Sequence, residues 1–201
     1  MIERELRNKF VKFIKLCAGR IGQLLNMSSL SNECDISVST AQSWVSVLEA
    51  SYIVYLLKPD YNNYAKRLVK TPKLYFYDTG LACSLLDIKE PAQVATHFLR
   101  GGLFENLVIN NFVKDAYNKG ENPSITFWRD STGNEVDLLI KTGDKQNAYE
   151  IKSGATYSQD YFKGLRTWAK LSGALPEQCF AIYNGKQTLK TSFGKLIPWN
   201  G

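Results

Sequence analysis

An aspartate stands inside an otherwise apolar run, Val136-Asp137-Leu138-Leu139-Ile140, and the tripeptide Glu150-Ile151-Lys152 follows Asn147-Ala148-Tyr149 a short way downstream. The polar residues Thr142, Gly143, Asp144, Lys145 and Gln146 lie between them, so the two runs read as neighbouring strands joined by a turn. Strand side chains alternate between faces. Glu150 and Lys152 therefore emerge together while Ile151 points the other way into a core. A chain of this kind must build a sheet that tolerates carboxylates at adjoining strand ends. Two carboxylates beside a lysine suit a hard divalent cation, because magnesium takes oxygen ligands from one or two carboxylates and keeps positions for water and phosphate. The lysine can then orient the attacking water or stabilise charge on a phosphate. The same residues have a second reading, in which Glu135, Asp137, Glu150 and Lys152 are a cross-strand charge network on a solvent-facing sheet.

Other chemistries are poorly supplied. His97 is the sole histidine, which removes most Ser-His-Asp, Cys-His and His-rich zinc schemes, and nothing around it resembles a nucleophile elbow. It reads as a polar residue near a helix start. Cys17, Cys34, Cys83 and Cys179 are far apart and form no C-x-x-C pair, so buried thiols are expected rather than a disulfide frame. The start, Met1-Ile2-Glu3-Arg4-Glu5, has no apolar stretch of a secretory signal, and no run approaches the ~20 apolar residues of a membrane span. A cytoplasmic protein is the expectation, with no membrane partner. Net charge is +6 and uneven: residues 1–73 hold eleven Lys/Arg against six Asp/Glu, a net of +5, which leaves +1 for the remainder. A basic first third suits a polyanionic partner or a solvated basic face.

With 201 residues, 44% of them hydrophobic, the chain can fill one large or two small cores. Leu6, Phe10, Phe13, Ile14 and Cys17 recur at helical spacing over 4–17. A second helix is expected over 29–34, capped by Ser28 or Ser29, and a third over 40–50 with Ala41, Val45 and Leu48 on one face. Strands at 53–57 and 73–77 follow, separated by a loop that starts at Pro59. Three helices and then a β-hairpin is the order of a winged helix-turn-helix. Residues 81–97 read as a helical connector broken at Glu90-Pro91, and the domains are expected at 1–85 and 86–201. The second opens with a helix over 97–119, followed by strands at 125–129, 135–141 and 148–152, a helix over 159–171 and a strand at 179–183. That α-β-β-β-α-β order predicts a mixed sheet in an α+β or α/β fold.

A glutamate on the first helix, an aspartate on the second strand and Glu-x-Lys on the third resemble the PD-(D/E)XK nuclease superfamily. The chain resembles more closely a family of unknown function at the C-terminus of AAA-type ATPases, which joins a winged helix to a restriction-endonuclease-like domain. The residues that carry this are Gly22-Gln23-Leu24-Leu25-Asn26, Tyr75-Phe76-Tyr77-Asp78-Thr79-Gly80-Leu81, Gly102-Leu103-Phe104-Glu105-Asn106, Phe127-Trp128-Arg129, the run from Glu135 to Ile140, and Glu150-Ile151-Lys152. The resemblance implies an ATPase domain N-terminal to this module in a longer protein. No G-x-x-x-x-G-K-[ST] occurs here: Gly185-Lys186-Gln187-Thr188 lacks the upstream glycine. It further implies that Asp137, Glu150 and the Ile151 carbonyl hold magnesium, with manganese as a substitute. Lys152 would position water, and Glu105 would reach the cluster as an outer or second-metal ligand. The implied activity is phosphodiester hydrolysis; the alternative is a non-enzymatic regulatory, assembly or DNA-binding module with a degenerate nuclease-like fold.

Glu105 sits among Leu103, Phe104, Leu107 and Val108, where an unpartnered carboxylate is costly. Lys152, a metal, a helix-end dipole or water at the helix edge would relieve it. Arg129 is expected to contact phosphate or to pair with Glu135 or Asp137. Nucleic acid, DNA in the first place, would meet Thr40, Gln42 and Ser43 on the third helix and Lys66, Arg67 and Lys70 in the wing. The third helix offers no Arg or Lys for guanine readout. Docking on the ATPase domain or on a second copy of the chain is the competing use of this surface.

Overall fold

The computed structural model describes residues 2–60 and 69–200. The chain divides into two compact units, residues 1–56 with 71–106 and residues 57–70 with 107–201. The division falls inside a continuous helix, which periodicity cannot register, whereas the sequence suggested a boundary at 85/86.

The first unit begins with α1 (Ile2–Ala18), α2 (Met27–Cys34) and α3 (Val38–Ala50). Its core draws Phe13 and Cys17 from α1, Leu30 and Cys34 from α2, and Ala41, Val45 and Leu48 from α3. Trp44 meets Phe10 and Phe13 edge-on at centroid distances of 5.1 and 5.2 Å. Each such pair contributes about 1 kcal/mol beyond area burial. The α2 cap is Asn26, whose side chain accepts the Ser29 N–H at 3.0 Å, not Ser28 or Ser29 as expected. Helix α3 likewise starts early, because Ser37 accepts the Thr40 N–H at 3.0 Å. In both cases the oxygen that satisfies an orphan N–H sets the helix start.

β1 (Val54–Leu57) and β2 (Lys73–Phe76) form a two-stranded sheet. Short helices α4 (Thr79–Leu85) and α5 (Pro91–Thr96) realise the connector, with Asp78 capping the former and Pro91 opening the latter. Helix α6 (Arg100–Asn118) follows. Asn106, wholly buried near its start, accepts the Phe76 N–H at 2.8 Å and donates to Thr79 Oγ1 at 2.7 Å.

The second unit holds a six-stranded sheet in the order β3-β4-β5-β6-β8-β7. Its strands are β3 (Ile125–Arg129), β4 (Glu135–Thr142), β5 (Lys145–Lys152), β6 (Cys179–Tyr183), β7 (Leu189–Thr191) and β8 (Gly194–Pro198). β3, β4 and β5 are antiparallel, β5-β6 and β6-β8 parallel, and β8-β7 antiparallel, so the sheet is mixed as expected. The last two strands were not foreseen, because neither carries a period-two apolar run. The expected helix over 159–171 opens as a 3-10 turn (Gln159–Phe162) and continues as α7 (Lys163–Ser172). Phe162, Leu165 and Trp168 pack with Leu139, Ala148, Cys179, Ala181 and Tyr183 on one face of the sheet. On the other face Tyr149 lies between Phe112 of α6 and Phe180 at centroid distances of 5.1 and 5.0 Å.

Residues on either side of 61–68 pair with β3. Pro59 bridges Phe127 in parallel, the Asp60 N–H donates to the Phe127 carbonyl at 2.7 Å, and the Phe127 N–H donates to the Lys58 carbonyl at 3.1 Å. The Val69 N–H donates to the Arg129 carbonyl at 3.2 Å. This cover is what an edge strand needs to avoid presenting bare backbone groups. Among the described residues, no helix is long and apolar enough to cross a membrane.

Replacing Asn106 with Leu leaves the buried Phe76 N–H without its acceptor. Urea denaturation should show a loss of about 2 kcal/mol, and Thr79→Val a smaller one.

Candidate functional site

The pairing of β4 with β5 decides which side chains share a face. The register Leu138↔Tyr149 and Leu139↔Ala148, continued by one step, sets Asp137 opposite Glu150. Toward β3 the ladder shifts between Thr126↔Leu139 and Trp128↔Val136, so Phe127 alone faces both Asp137 and Leu138. Asp137 thus sits in a β-bulge, a feature that re-aims a side chain and recurs beside active sites. Its Oδ2 accepts the Ile151 N–H at 2.8 Å, which fastens the carboxylate to the neighbouring strand.

Glu150 Oε1 accepts from Lys152 Nζ at 2.5 Å. Asp137 and Glu150 are 7% and 8% exposed, so the strand end is not the solvent-facing charge network of the second sequence reading. Gly164 explains how α7 closes over it. A Cβ there would lie 1.9 Å from the Glu135 carbonyl oxygen and 3.2 Å from Glu150 Oε2. Only glycine lets the first turn of α7 approach so closely, and a helix N-terminus favours the nearby carboxylate. The oxygen donors gathered here are two carboxylates, with an ammonium beside them, and hard oxygen ligands of this kind suit magnesium. Among the described residues, no three His, Cys, Asp or Glu side chains form a group able to hold a metal ion.

Arg129 Nη1 pairs with Glu135 Oε2, one of its two expected carboxylate partners, at 2.8 Å. The β3–β4 turn is tied by Asp130, whose Oδ1 accepts the Thr132 and Asn134 N–H groups, each at 2.9 Å. Burial alone would raise the Asp130 pKa, but the hydrogen bonds from Asn134 and Thr132 outweigh it and hold the carboxyl below its usual range.

Glu105 belongs to the first unit and has partners the sequence did not suggest. Its Oε1 accepts from Lys73 Nζ at 2.9 Å and from the Tyr75 hydroxyl. The Lys73 and Glu105 side chains are 3% and 14% exposed. Gly22, beside this carboxylate, adopts φ +74°, the left-handed region that favours glycine. Gly102 lets α6 pass the Ile21 carbonyl, from which a Cβ would be only 2.5 Å away. Thus the Gly22, Tyr75 and Gly102–Asn106 motifs converge on one buried junction, through contacts thirty or more residues apart in sequence.

Of the proposed nucleic-acid contacts, Gln42 and Ser43 are exposed on α3 and Lys70 is exposed, while Thr40 is half-buried with its hydroxyl 2.8 Å from the Ser37 hydroxyl. Lys66 and Arg67 lie outside the described residues. The thiols are free, and burial pushes Cys17 up to about 12 and Cys179 up to about 11, which removes them as nucleophiles near neutrality. His97 follows α5 rather than opening α6, and its Nδ1 accepts the Leu99 N–H at 3.1 Å.

Comparison with known proteins gives families without assigned activity. Residues 100–200 match the model of the family described as Domain of unknown function (DUF4143), and residues 2–92 match that of Domain of unknown function (DUF8612). "Uncharacterized protein Mb2031c" of Mycobacterium bovis and "Uncharacterized protein Rv2008c" of Mycobacterium tuberculosis are each 29% identical over 137 residues. The match covers 68% of this chain and 30% of either mycobacterial protein. No solved structure matches.

Removing one member of the Lys73–Glu105 pair takes the opposite charge from a buried ionic group. Lys73→Met should lower stability by about 3 kcal/mol, and the double variant Lys73→Met/Glu105→Leu should recover part of that loss. Guanidinium melts of the three proteins read this out.

Proposed function

We propose, for a chain that belongs to the DUF4143 family, a magnesium-dependent phosphodiester-hydrolysing site at the C-terminal end of β5, in a module that engages nucleic acid. The observation that carries the reading is the clasp of Asp137 to the Ile151 backbone opposite a carboxylate, Glu150, that already holds the Lys152 ammonium. This is a pair of hard anionic donors with a cation at its edge, built on rigid strands rather than on a loop. Asp137, Glu150 and the Ile151 carbonyl would hold magnesium, which when bound supplies a polarised phosphoryl oxygen and a water of lowered pKa. Lys152, whose side chain is 36% exposed, orients water or stabilises charge gathering on the phosphate. The proposed site does not draw on Glu105, whose carboxylate accepts from Lys73 and Tyr75 within the first unit.

The three helices and two-stranded sheet of the first unit read as a winged helix-turn-helix, with Gln42 and Ser43 as sequence-independent contacts to DNA. The second unit reads as a PD-(D/E)XK-like domain. An ATPase domain elsewhere in a longer protein is the partner that the family resemblance implies.

One observation favours the rival reading, a non-enzymatic regulatory or assembly module: Asp137 and Glu150 are both engaged by groups of the chain itself. Calorimetry with magnesium and manganese on wild type, Asp137→Ala and Lys152→Ala separates the two. Metal binding should vanish in Asp137→Ala and persist in Lys152→Ala. Hydrolysis of single- or double-stranded DNA or RNA should fall by about 10²-fold or more in Lys152→Ala. Absence of binding at millimolar metal with oligonucleotide present would establish the carboxylates as structural charges.

A further inference from the structure

The sheet's far edge carries a second feature, on the opposite face from Glu150. A row of residues runs across four adjoining strands of the second unit in register: Tyr149↔Phe180, Phe180↔Lys195 and Lys195↔Lys190. Glu150 pairs with Ala181, one residue further on, so it projects from the other side of the sheet. The row begins with two rings stacked at 5.0 Å and 18° and ends with two lysines.

The lysines are an unusual choice for that pair. Lys190 and Lys195 are directly opposed on antiparallel strands, where like charges repel. Both are exposed, and among the described residues neither forms an ion pair. They line a cleft of about 650 Å³ together with Phe180, Thr188, Ser192 and Glu177. A strand spacing of about 4.8 Å puts Lys195 one strand and Lys190 two strands from Phe180. The cleft therefore offers an aromatic surface at one end, two lysines outside any ion pair at the other, and hydroxyl groups and the Glu177 carboxylate along the wall. Its volume is that of a small-ligand site. β3, at the opposite edge of the sheet, is covered by residues 58–60 and 69, but β7 is the last strand on its side.

We propose that this cleft binds a nucleotide, its base on the Phe180 ring and its phosphate between Lys190 and Lys195. Stacking on an aromatic side chain with lysines tracking the phosphate is the mode by which proteins hold bases without reading their sequence. The inference is independent of the carboxylate site, because it uses the other face of the sheet and needs no metal. The ligand chemistry is shared by a free nucleotide and by one unit of a single strand.

The test is calorimetric titration of the full chain with adenosine monophosphate, adenosine, inorganic phosphate and a fifteen-residue oligothymidylate, in chelator to silence metal-dependent cleavage. Adenosine monophosphate should bind at least tenfold more tightly than adenosine or phosphate. Lys190→Gln/Lys195→Gln should weaken it at least tenfold, and Phe180→Leu should weaken it while leaving phosphate binding unchanged. Circular dichroism confirms that the variants fold, which their exposed positions favour for the lysines. A mononucleotide that binds as tightly as the strand marks a free-nucleotide site; a strand that binds at least tenfold more tightly, with the same loss in the lysine variant, marks a single-strand track. No binding of either at millimolar concentration, or binding that the lysine variant leaves unchanged, overturns the proposal and leaves the lysines as guards of the sheet edge.

Discussion

The register of β4 against β5 is the constraint on which the second unit depends. Because strand side chains alternate with a period of two, a slip of one residue would send Glu150 and Lys152 to the face of Tyr149 and bring Ile151 under α7. The bulge at Asp137 is the one place where the alternation is relaxed, and it falls where an aspartate must reach across to the Ile151 backbone. Gly164 completes the arrangement by letting α7 lie against the Glu135 carbonyl. Three local devices thus fix one strand end: a register, a bulge and a glycine.

The first unit is organised by a different interaction. Lys73 and Tyr75 of β2 hold Glu105 of α6, and one residue further on Asn106 holds the Phe76 backbone and Thr79. Two neighbouring helical residues thereby bind one strand and the turn after it through side chains. Charges this enclosed stabilise the fold only as a pair, since each alone would bear the full cost of desolvation. The glutamate that the family resemblance offered as an outer or second-metal ligand is held by two side chains of its own unit.

Both edges of the six-stranded sheet show how edge strands are managed. Residues 58–60 and 69 pair with β3, while β7 ends the sheet with Lys190 opposed to Lys195. Lysine on an edge discourages pairing with another chain, and beside Phe180 it also makes a cleft with a definite ligand chemistry.

The sequence by itself determined the order of the helices and strands as far as β6, the mixed sheet and the alternation that puts Glu150 and Lys152 on one face, because periodicity and turn residues are local properties. It also marked Asp137 as exceptional, since a carboxylate in an apolar strand is legible without coordinates. It did not show β7 and β8, whose short runs carry no period, nor the caps at Asn26 and Ser37, which depend on where one side-chain oxygen lands. Only the tertiary structure decided that Glu105 meets Lys73 and Tyr75, that Arg129 pairs with Glu135, that Asp137 sits in a bulge and that Lys190 opposes Lys195. Each of these is a pairing across strands or between a strand and a helix, and partner choice across such distances is set by how the elements pack, not by the neighbours of a residue in the chain.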